Sequence, residues 1–294
     1  MAGKIKYFYK NWETLNASPF VLNIVKDGYR LPFLNLPPPF YARNNLSSLS
    51  HECFVERTIK ELLEKNCVIE VASPPFCVNP LTVASRGDKL RLVLDLRHVN
   101  SYLAETKFKY ENLKTVAEIF EKDFYFITFD LKSGYHHVPI FEEHWTYLGF
   151  SWTFSNGVTR FFVFIVLPFG LSSACYAFTK ILRPLVKKWR SSGVRCAIYL
   201  DDGILGDPNL SKMKSIRDMA LADLSGLGLT VNLEKSALNP STTGRWLGFI
   251  IDTAKMTLSV PIEKITCLLA LTKLALSLRF SSCLLYTSPS PRDS

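Results

Sequence analysis

Apolar runs separated by turn-forming residues divide this chain before any other feature does. From His51 to Lys65, Phe54, Ile59, Leu62 and Leu63 recur toward one face, the spacing of an amphipathic helix. "CVIEVA" (67–72) reads as a strand ended by "SPPF". "LTVAS" and "LRLVLDL" read as strands flanking the basic turn "RGDK" (86–89). "FYFITFDL" (124–131) is an unbroken buried strand, and "FFVFIVLPFGL" (161–171) is a buried strand broken by Pro168 and Gly170. In "SSACYAFTKILRPLVKKWR" (172–190) helical spacing puts Ala174, Phe178, Ile181, Leu182, Leu185 and Trp189 on one face. Lys180, Arg183, Lys187 and Arg190 fall on another, with Pro184 a kink. That basic stripe has two open readings, a track for phosphates or a solvated face.

"CAIYLDDGILGD" (196–207) predicts a hairpin turning at Asp202-Gly203, which leaves Asp201 and Asp202 at its tip. A helix follows from about Ser211 with Met213, Ile216, Ala220 and Leu224 in step, then two strands, "LTVNLEKS" and "WLGFII". Ser259 and Pro261 open a last helix, Ile262 to Leu278. The first 50 residues, rich in Pro, Asn and aromatics ("RLPFLNLPPPFYARNN"), read as an extended arm. Helices and strands mix without strict alternation, so the predicted class is α+β.

Composition narrows the function. The chain has 294 residues, enough for one large domain or two to three subdomains, and 48% are apolar, which excludes a disordered segment. A net charge of +9 suits a polyanionic partner. The seven cysteines form no C-x-x-C pair, against a zinc site or a disulfide framework and in favour of a reducing, intracellular compartment, cytoplasmic or nuclear. No run of 18 apolar residues predicts a membrane span, and "MAGKIKYFYKNW" lacks the apolar region of a signal peptide. "CLLYTSPSPRDS" (283–294) matches nothing before it and resembles a translated sequencing adapter, so the natural chain is expected to continue past about Ser282.

Two adjacent carboxylates on a rigid turn suit a hard divalent cation, though taken alone an ordinary solvated Asp-Gly turn is the commoner explanation. Asp130 is the partner to test, because an unpaired carboxylate at the end of "FYFITF" is costly; its plainer role is to cap the next turn. In order, "NPLTVASRGDKLRLVLDLRHVN", "FDLKSGYHHVPI", "LPFGLSSACYAF", "YLDDG", "GLTVNLEKS" and "WLGFII" resemble the blocks of reverse transcriptases over residues 45 to 280. The texture resembles retrotransposons of the DIRS/Ngaro kind and more distantly the gypsy kind. The resemblance implies a right-hand polymerase fold with an antiparallel palm sheet backed by helices. An N-terminal arm would span 1–44, fingers 45–104 and 138–172, palm 105–137 and 173–256, the start of a thumb 257–282, and a non-native tail 283–294.

What that resemblance implies for chemistry is two-metal nucleotidyl transfer, a primer 3′-hydroxyl attacking the α-phosphate of a dNTP between two Mg²⁺ ions, with Mn²⁺ as a substitute. Asp130, Asp201, Asp202 and the Leu131 carbonyl would hold the metals. Tyr135 would lie under the sugar and exclude a 2′-OH. Arg91, and more approximately Arg86, with Lys89 only a neighbour, would meet the triphosphate. Phe169 and Gly170 would abut the nucleotide and templating base, and Lys235 would protonate the leaving pyrophosphate. Trp246, Leu247 and Gly248 would form the primer grip. Asp95, Arg97 and Asn100 match structural and template-side positions, the first two as an ion pair. Cys175 departs from the family, which commonly has Pro there. His136, His137 and His144 are expected to pack rather than bind metal. The implied partners are an RNA or DNA template with its primer, and dNTPs; oligomeric state stays open. The rival is a truncated remnant that binds nucleic acid without extending it. A third reading, an RNA-templated RNA polymerase, is disfavoured by Tyr135.

Overall fold

The computed structural model describes residues 2–86 and 89–277. The tip of the "RGDK" turn, the C-terminal end of the predicted last helix and the 283–294 tail lie outside the described residues.

The N-terminal segment departs from the extended arm expected over 1–44. After a 3₁₀ turn (Lys4–Phe8) come α1 (Tyr9–Thr14) and α2 (Pro19–Asp27). Ser18 caps α2 through its hydroxyl and Pro19 opens it, the expected start signal. Trp12 is fully buried and its indole N–H donates to the Leu227 carbonyl, 3.2 Å away, so burial of a few large side chains holds these short helices. Only from about Gly28 to Asn45 does the chain run extended, through β1 (Phe40–Tyr41).

A short α3 (Leu46–Leu49) leads into α4 (Glu52–Glu64), which buries Val55 and Ile59. Then come β2 (Val68–Val71), β3 (Cys77–Val78), β4 (Leu81–Arg86), β5 (Lys89–Leu94) and α5 (Arg97–Asn100). The strands β4 and β5 pair as the expected hairpin, Arg86 opposite Lys89. α6 (Leu113–Ile119) is held by an Asn112–Thr115 capping box, and β6 (Tyr125–Asp130) follows. β7 (Gly149–Thr153) and β8 (Thr159–Phe164) join β1, β3 and β2 in one five-stranded sheet, order β1-β3-β7-β8-β2.

α7 (Ala174–Ser191) runs through Pro184 and buries the predicted apolar face. β9 (Arg195–Tyr199), β10 (Asp202–Asp207), α8 (Leu210–Gly226) and β11 (Ala237–Ser241) complete an antiparallel sheet in the order β11-β6-β10-β9. α8 buries Met213, Ile216, Ala220 and Leu224, as its spacing predicted. β12 (Thr243–Trp246), β13 (Phe249–Asp252) and β14 (Thr257–Ser259) form a separate three-stranded sheet, and α9 (Ile262–Ser277) ends the described chain with no buried residue.

Two expected strands are corrected. "LTVNLEKS" makes only an isolated bridge, Leu131 to Val231, because the chain turns at Leu233–Lys235. "WLGFII" is the end of one strand, a turn at Leu247-Gly248 and the start of the next; both turn residues take positive φ (47° and 75°), which reverses the chain tightly.

The β11-β6-β10-β9 sheet is covered on both faces. Ile127, Phe129, Cys196, Ile198 and Leu205 join the main core with α7 and α8. Phe126, Ala197 and Ile204 point the other way and pack with Val116, Phe120, Phe124, Trp246 and Ile251. Strand alternation puts Asp130 and Asp202 on this second side, the side of α6 and the Trp246 hairpin.

Candidate active site

Register, not proximity in sequence, brings the acids together. Asp202 is the direct antiparallel partner of Asp130, at the end where β6 stops and β10 starts. Asp201 precedes Asp202 on the turn, and its carbonyl accepts a 2.9 Å hydrogen bond from the Leu131 N–H. The reversal itself is at Leu200-Asp201, not the expected Asp202-Gly203, since Asp202 is already paired with Tyr199. Leu200 carries the turn with φ 53°, a strained position for a branched side chain. Gly203 serves packing instead: a Cβ there would overlap the Phe129 ring.

Electrostatics shows how the acids see one another. Burial, then the neighbouring Asp201 and Asp130 charges, push the Asp202 carboxyl up to about 6, and Lys235 offsets part of this. Burial and Asp130 raise Asp201 as well, while Lys235 and Arg91 act against the rise. Like charges held together in a partly dry place favour proton or cation uptake. Lys235, although exposed, lies within the field of Asp201 and Asp202.

Around Leu131 the backbone is tied on both sides. Lys132 donates to the Thr230 carbonyl and Asn232 to the Asp130 carbonyl, each at 2.8 Å. The Asp130 N–H donates to the Ser236 hydroxyl, 3.0 Å, and Ser236 donates in turn to the Asn232 carbonyl, 2.6 Å. The Leu131 carbonyl accepts none of the hydrogen bonds found among the described residues. Three carboxylates and a free carbonyl are an all-oxygen donor set, the chemistry a hard divalent ion takes. Among the described residues, no group of three or more acid, His or Cys side chains is already drawn in tightly enough to hold a metal. The donor types fit a hard divalent ion, which Asp130, Asp201, Asp202 and the Leu131 carbonyl would hold only by drawing closer than they stand here.

Beside the acids lies a half-buried aromatic floor. Tyr135 packs against Phe169 and Phe178, ring centres 5.4 and 5.5 Å away. Its hydroxyl meets the Cys175 sulfur at 2.9 Å, and burial, the thiol and Asp201 all raise the phenol above its usual range. The Arg91 guanidinium lies 5.4 Å from the centre of the Phe169 ring. Gly170 has φ 105°, and a Cβ there would strike the Leu94 carbonyl. Asn100 fixes this turn by donating to the Gly170 carbonyl (2.8 Å) and accepting from the Ser172 N–H (3.0 Å). Tyr135 and Arg91 lie within the field of Asp201, and Phe169 packs against both.

Other expected positions fall further off. For Arg86 the backbone pairing alone is described. Trp246 is buried in the second core, and Lys264 donates to the Gly248 carbonyl at 3.0 Å, so the Trp246–Gly248 hairpin stands on the same sheet face as Asp130 and Asp202 but is held by its own contacts. Arg97 pairs with Asp95 at 2.6 Å, and Asn45 also donates to that carboxylate. His137 accepts from the Thr230 N–H and meets the Gly134 carbonyl through Nδ1, bracing the turn beneath Asp130. His144 accepts from the Leu31 N–H. Sequence reasoning missed Ser236 and the bracing role of His137; the Ser lies in "NLEKS", but its target is visible only once the strands are paired.

The family model described as "Reverse transcriptase (RNA-dependent DNA polymerase)" matches residues 83–251, more than half of the chain and all of the acid cluster. The chain belongs to the reverse transcriptase family. Among curated proteins it is 28% identical over 227 residues to the retrovirus-related Pol polyprotein from transposon 297 of Drosophila melanogaster, covering 71% of this chain and 20% of that one. It is also 29% identical over 222 residues to the Pol polyprotein from transposon opus of the same organism, covering 74% and 21%. The chain therefore spans about a fifth of the length of the curated relatives it matches. Among solved structures, the foamy viral protease-reverse transcriptase in complex with RNA/DNA hybrid aligns with a TM-score of 0.65 at 22% identity, over 79% of this chain and 30% of that one. The fold is the right-hand polymerase fold of this reverse transcriptase family, with the antiparallel sheet and its helices in the expected places. Reverse transcriptases work with divalent metal ions as a family, which agrees with the donor set here. No helix among the described residues is long and apolar enough to cross a membrane.

Proposed function

We propose that this chain is the polymerase core of a retrotransposon reverse transcriptase, adding dNTPs to a primer 3′-hydroxyl on an RNA or DNA template. The observation that carries this is the pairing of Asp202 with Asp130, with Asp201 on the adjoining turn. Two Mg²⁺ ions, or Mn²⁺ in their place, would be held by Asp130, Asp201, Asp202 and the Leu131 carbonyl, and would neutralise charge on the attacking and leaving oxygens. The protein's own share is positioning. The Asp130 backbone is tied to Ser236 and the Asp201 backbone to the Leu131 N–H, which fixes the two chain segments that carry the acids. Arg91, braced on Phe169, meets the triphosphate; Arg86 joins it from the same hairpin. Tyr135 and Gly170 form the sugar and base side of the site, Tyr135 leaving no room for a 2′-hydroxyl. Lys235 holds a proton at Nζ for the departing pyrophosphate. The Trp246-Leu247-Gly248 turn grips the primer end.

In this reading, 45–104 and 138–172 are the fingers, 105–137 and 173–256 the palm, and 257–282 the start of a thumb. The parent element is of the DIRS/Ngaro kind and the polymerase works inside the cell, in cytoplasm or nucleus. That the foamy viral relative is solved with an RNA/DNA hybrid supports the template and primer assignment. Primer extension tests it: a DNA primer on an RNA template, four dNTPs and Mg²⁺ should give a ladder of products that a chelator abolishes. Binding without extension, in Mg²⁺ or Mn²⁺, would favour the inactive remnant; preference for rNTPs would favour an RNA polymerase.

A further inference from the structure

The basic face of α7 is not a bare solvated surface. Lys180, Arg183, Lys187 and Arg190 line a cavity of about 700 Å³, closed on its other sides by Lys109 and Glu111, by Asn16 and Ser18 before α2, and by Ile198 and Leu200. Five cations face one acid there. Glu111 is already engaged, accepting from Arg190 (2.7 Å) and from the Ile198 N–H (2.9 Å), so it seals the open edge of β9. Arg183, Lys187 and Lys109 are exposed and make no ion pair with the described residues. Uncompensated cations around a concavity leave a strongly positive local potential.

The cavity lies on the other face of the sheet from Asp130 and Asp202 and reaches the Asp201 turn through Leu200. Ile198 pairs with Gly203 and points to the α7 side of the sheet, whereas Asp130 and Asp202 point to the opposite side. Its shape also selects its ligand. At about 1.5 Å per residue, Lys180 to Arg190 spans roughly 15 Å along the helix, too long a row for one nucleotide and suited to several phosphates of one strand.

We propose that this cavity is a second nucleic-acid site, which takes the sugar–phosphate backbone of a single strand outside the reaction centre. Choosing a nucleic-acid strand over another polyanion rests on membership of the reverse transcriptase family; the site does not depend on the chain being an active polymerase. The test is fluorescence anisotropy with a labelled single-stranded oligonucleotide of about ten nucleotides, without dNTP or metal, across a salt series. Each lost phosphate contact lowers the slope of log affinity against log salt by roughly 0.7, so R183E/K187E should lower it by about 1.4 and weaken binding about tenfold near 0.1 M salt. R183Q/K187Q, which keeps helix propensity and adds no repulsion, should fall between, and both variants should melt like the parent chain. Unchanged slope and affinity in both variants would overturn the proposal. So would inorganic tripolyphosphate displacing the oligonucleotide from the parent chain at equal phosphate concentration, which would make this a site for free polyphosphate. Primer extension on the same proteins keeps the two readings apart: a chain that binds with this salt dependence yet does not extend loses its polymerase reading and keeps this one.

Discussion

Asp202 and Asp130 stand directly opposite each other on neighbouring antiparallel strands, and burial together with the Asp201 and Asp130 charges raises the Asp202 carboxyl. Carboxylates meeting this way without a cation oppose folding. The Asp202 carboxyl is raised to about 6, above its unfolded value of 3.8, so between those pH values the folded chain binds the extra proton. Stability is therefore lost as pH rises from about 4 to above 6.

Asp202→Asn should remove that loss. In metal-free buffer at pH 8 we expect the variant to be more stable than the parent by about 1–2 kcal/mol, after discounting for solvent screening, with the difference vanishing near pH 4. Urea melts at the two pH values check it. Equal stability at both would mean that neither burial nor the neighbouring charges raise the Asp202 carboxyl.

Gly170 should tolerate no side chain. Its φ of 105° and the Leu94 carbonyl against the site of any Cβ both oppose Gly170→Ala. The expected result is a loss of about 2 kcal/mol or more, seen as a lower melting temperature, together with weaker dNTP use because the turn borders Phe169. An Asn100→Ala variant, which removes only the two hydrogen bonds holding the turn, should act in the same direction and less strongly.

Sugar selection should lie with Tyr135. Its ring is fixed by Phe169, Phe178 and the Cys175 thiol. Tyr135→Ala is expected to raise the ratio of rNTP to dNTP incorporation by at least about tenfold, roughly 1.4 kcal/mol of discrimination, as measured by single-nucleotide extension. An unchanged ratio would take the sugar away from this ring.

Much of the site was legible because its blocks are local. Each of "FYFITFD", "YLDDG" and "LPFG" carries its residues within a few positions of a strand end or turn. What the letters could not show was set by packing at a distance. Asp202-Gly203 reads as a turn, yet Gly203 is needed for the Phe129 ring and the turn moves back to Leu200-Asp201. "LTVNLEKS" has strand propensity, but its chain is bent so that Ser236 can reach Asp130. The first 27 residues read as extended because Pro and aromatics cluster just after them. The Ser18-Pro19 start signal was present, while the burial of Trp12 against Leu227 was not readable from either segment alone. The Asn112–Thr115 capping box was a second local signal for a helix that polar flanks concealed.

The most direct measurement is primer extension on an RNA template with Mg²⁺ by Asp201→Asn beside the parent chain, with circular dichroism of both. Asn keeps the size of the half-buried Asp201 side chain and removes only its charge, so the account predicts an unchanged fold and incorporation reduced by at least about a thousandfold. Incorporation within a few-fold of the parent, from a folded variant, would contradict it.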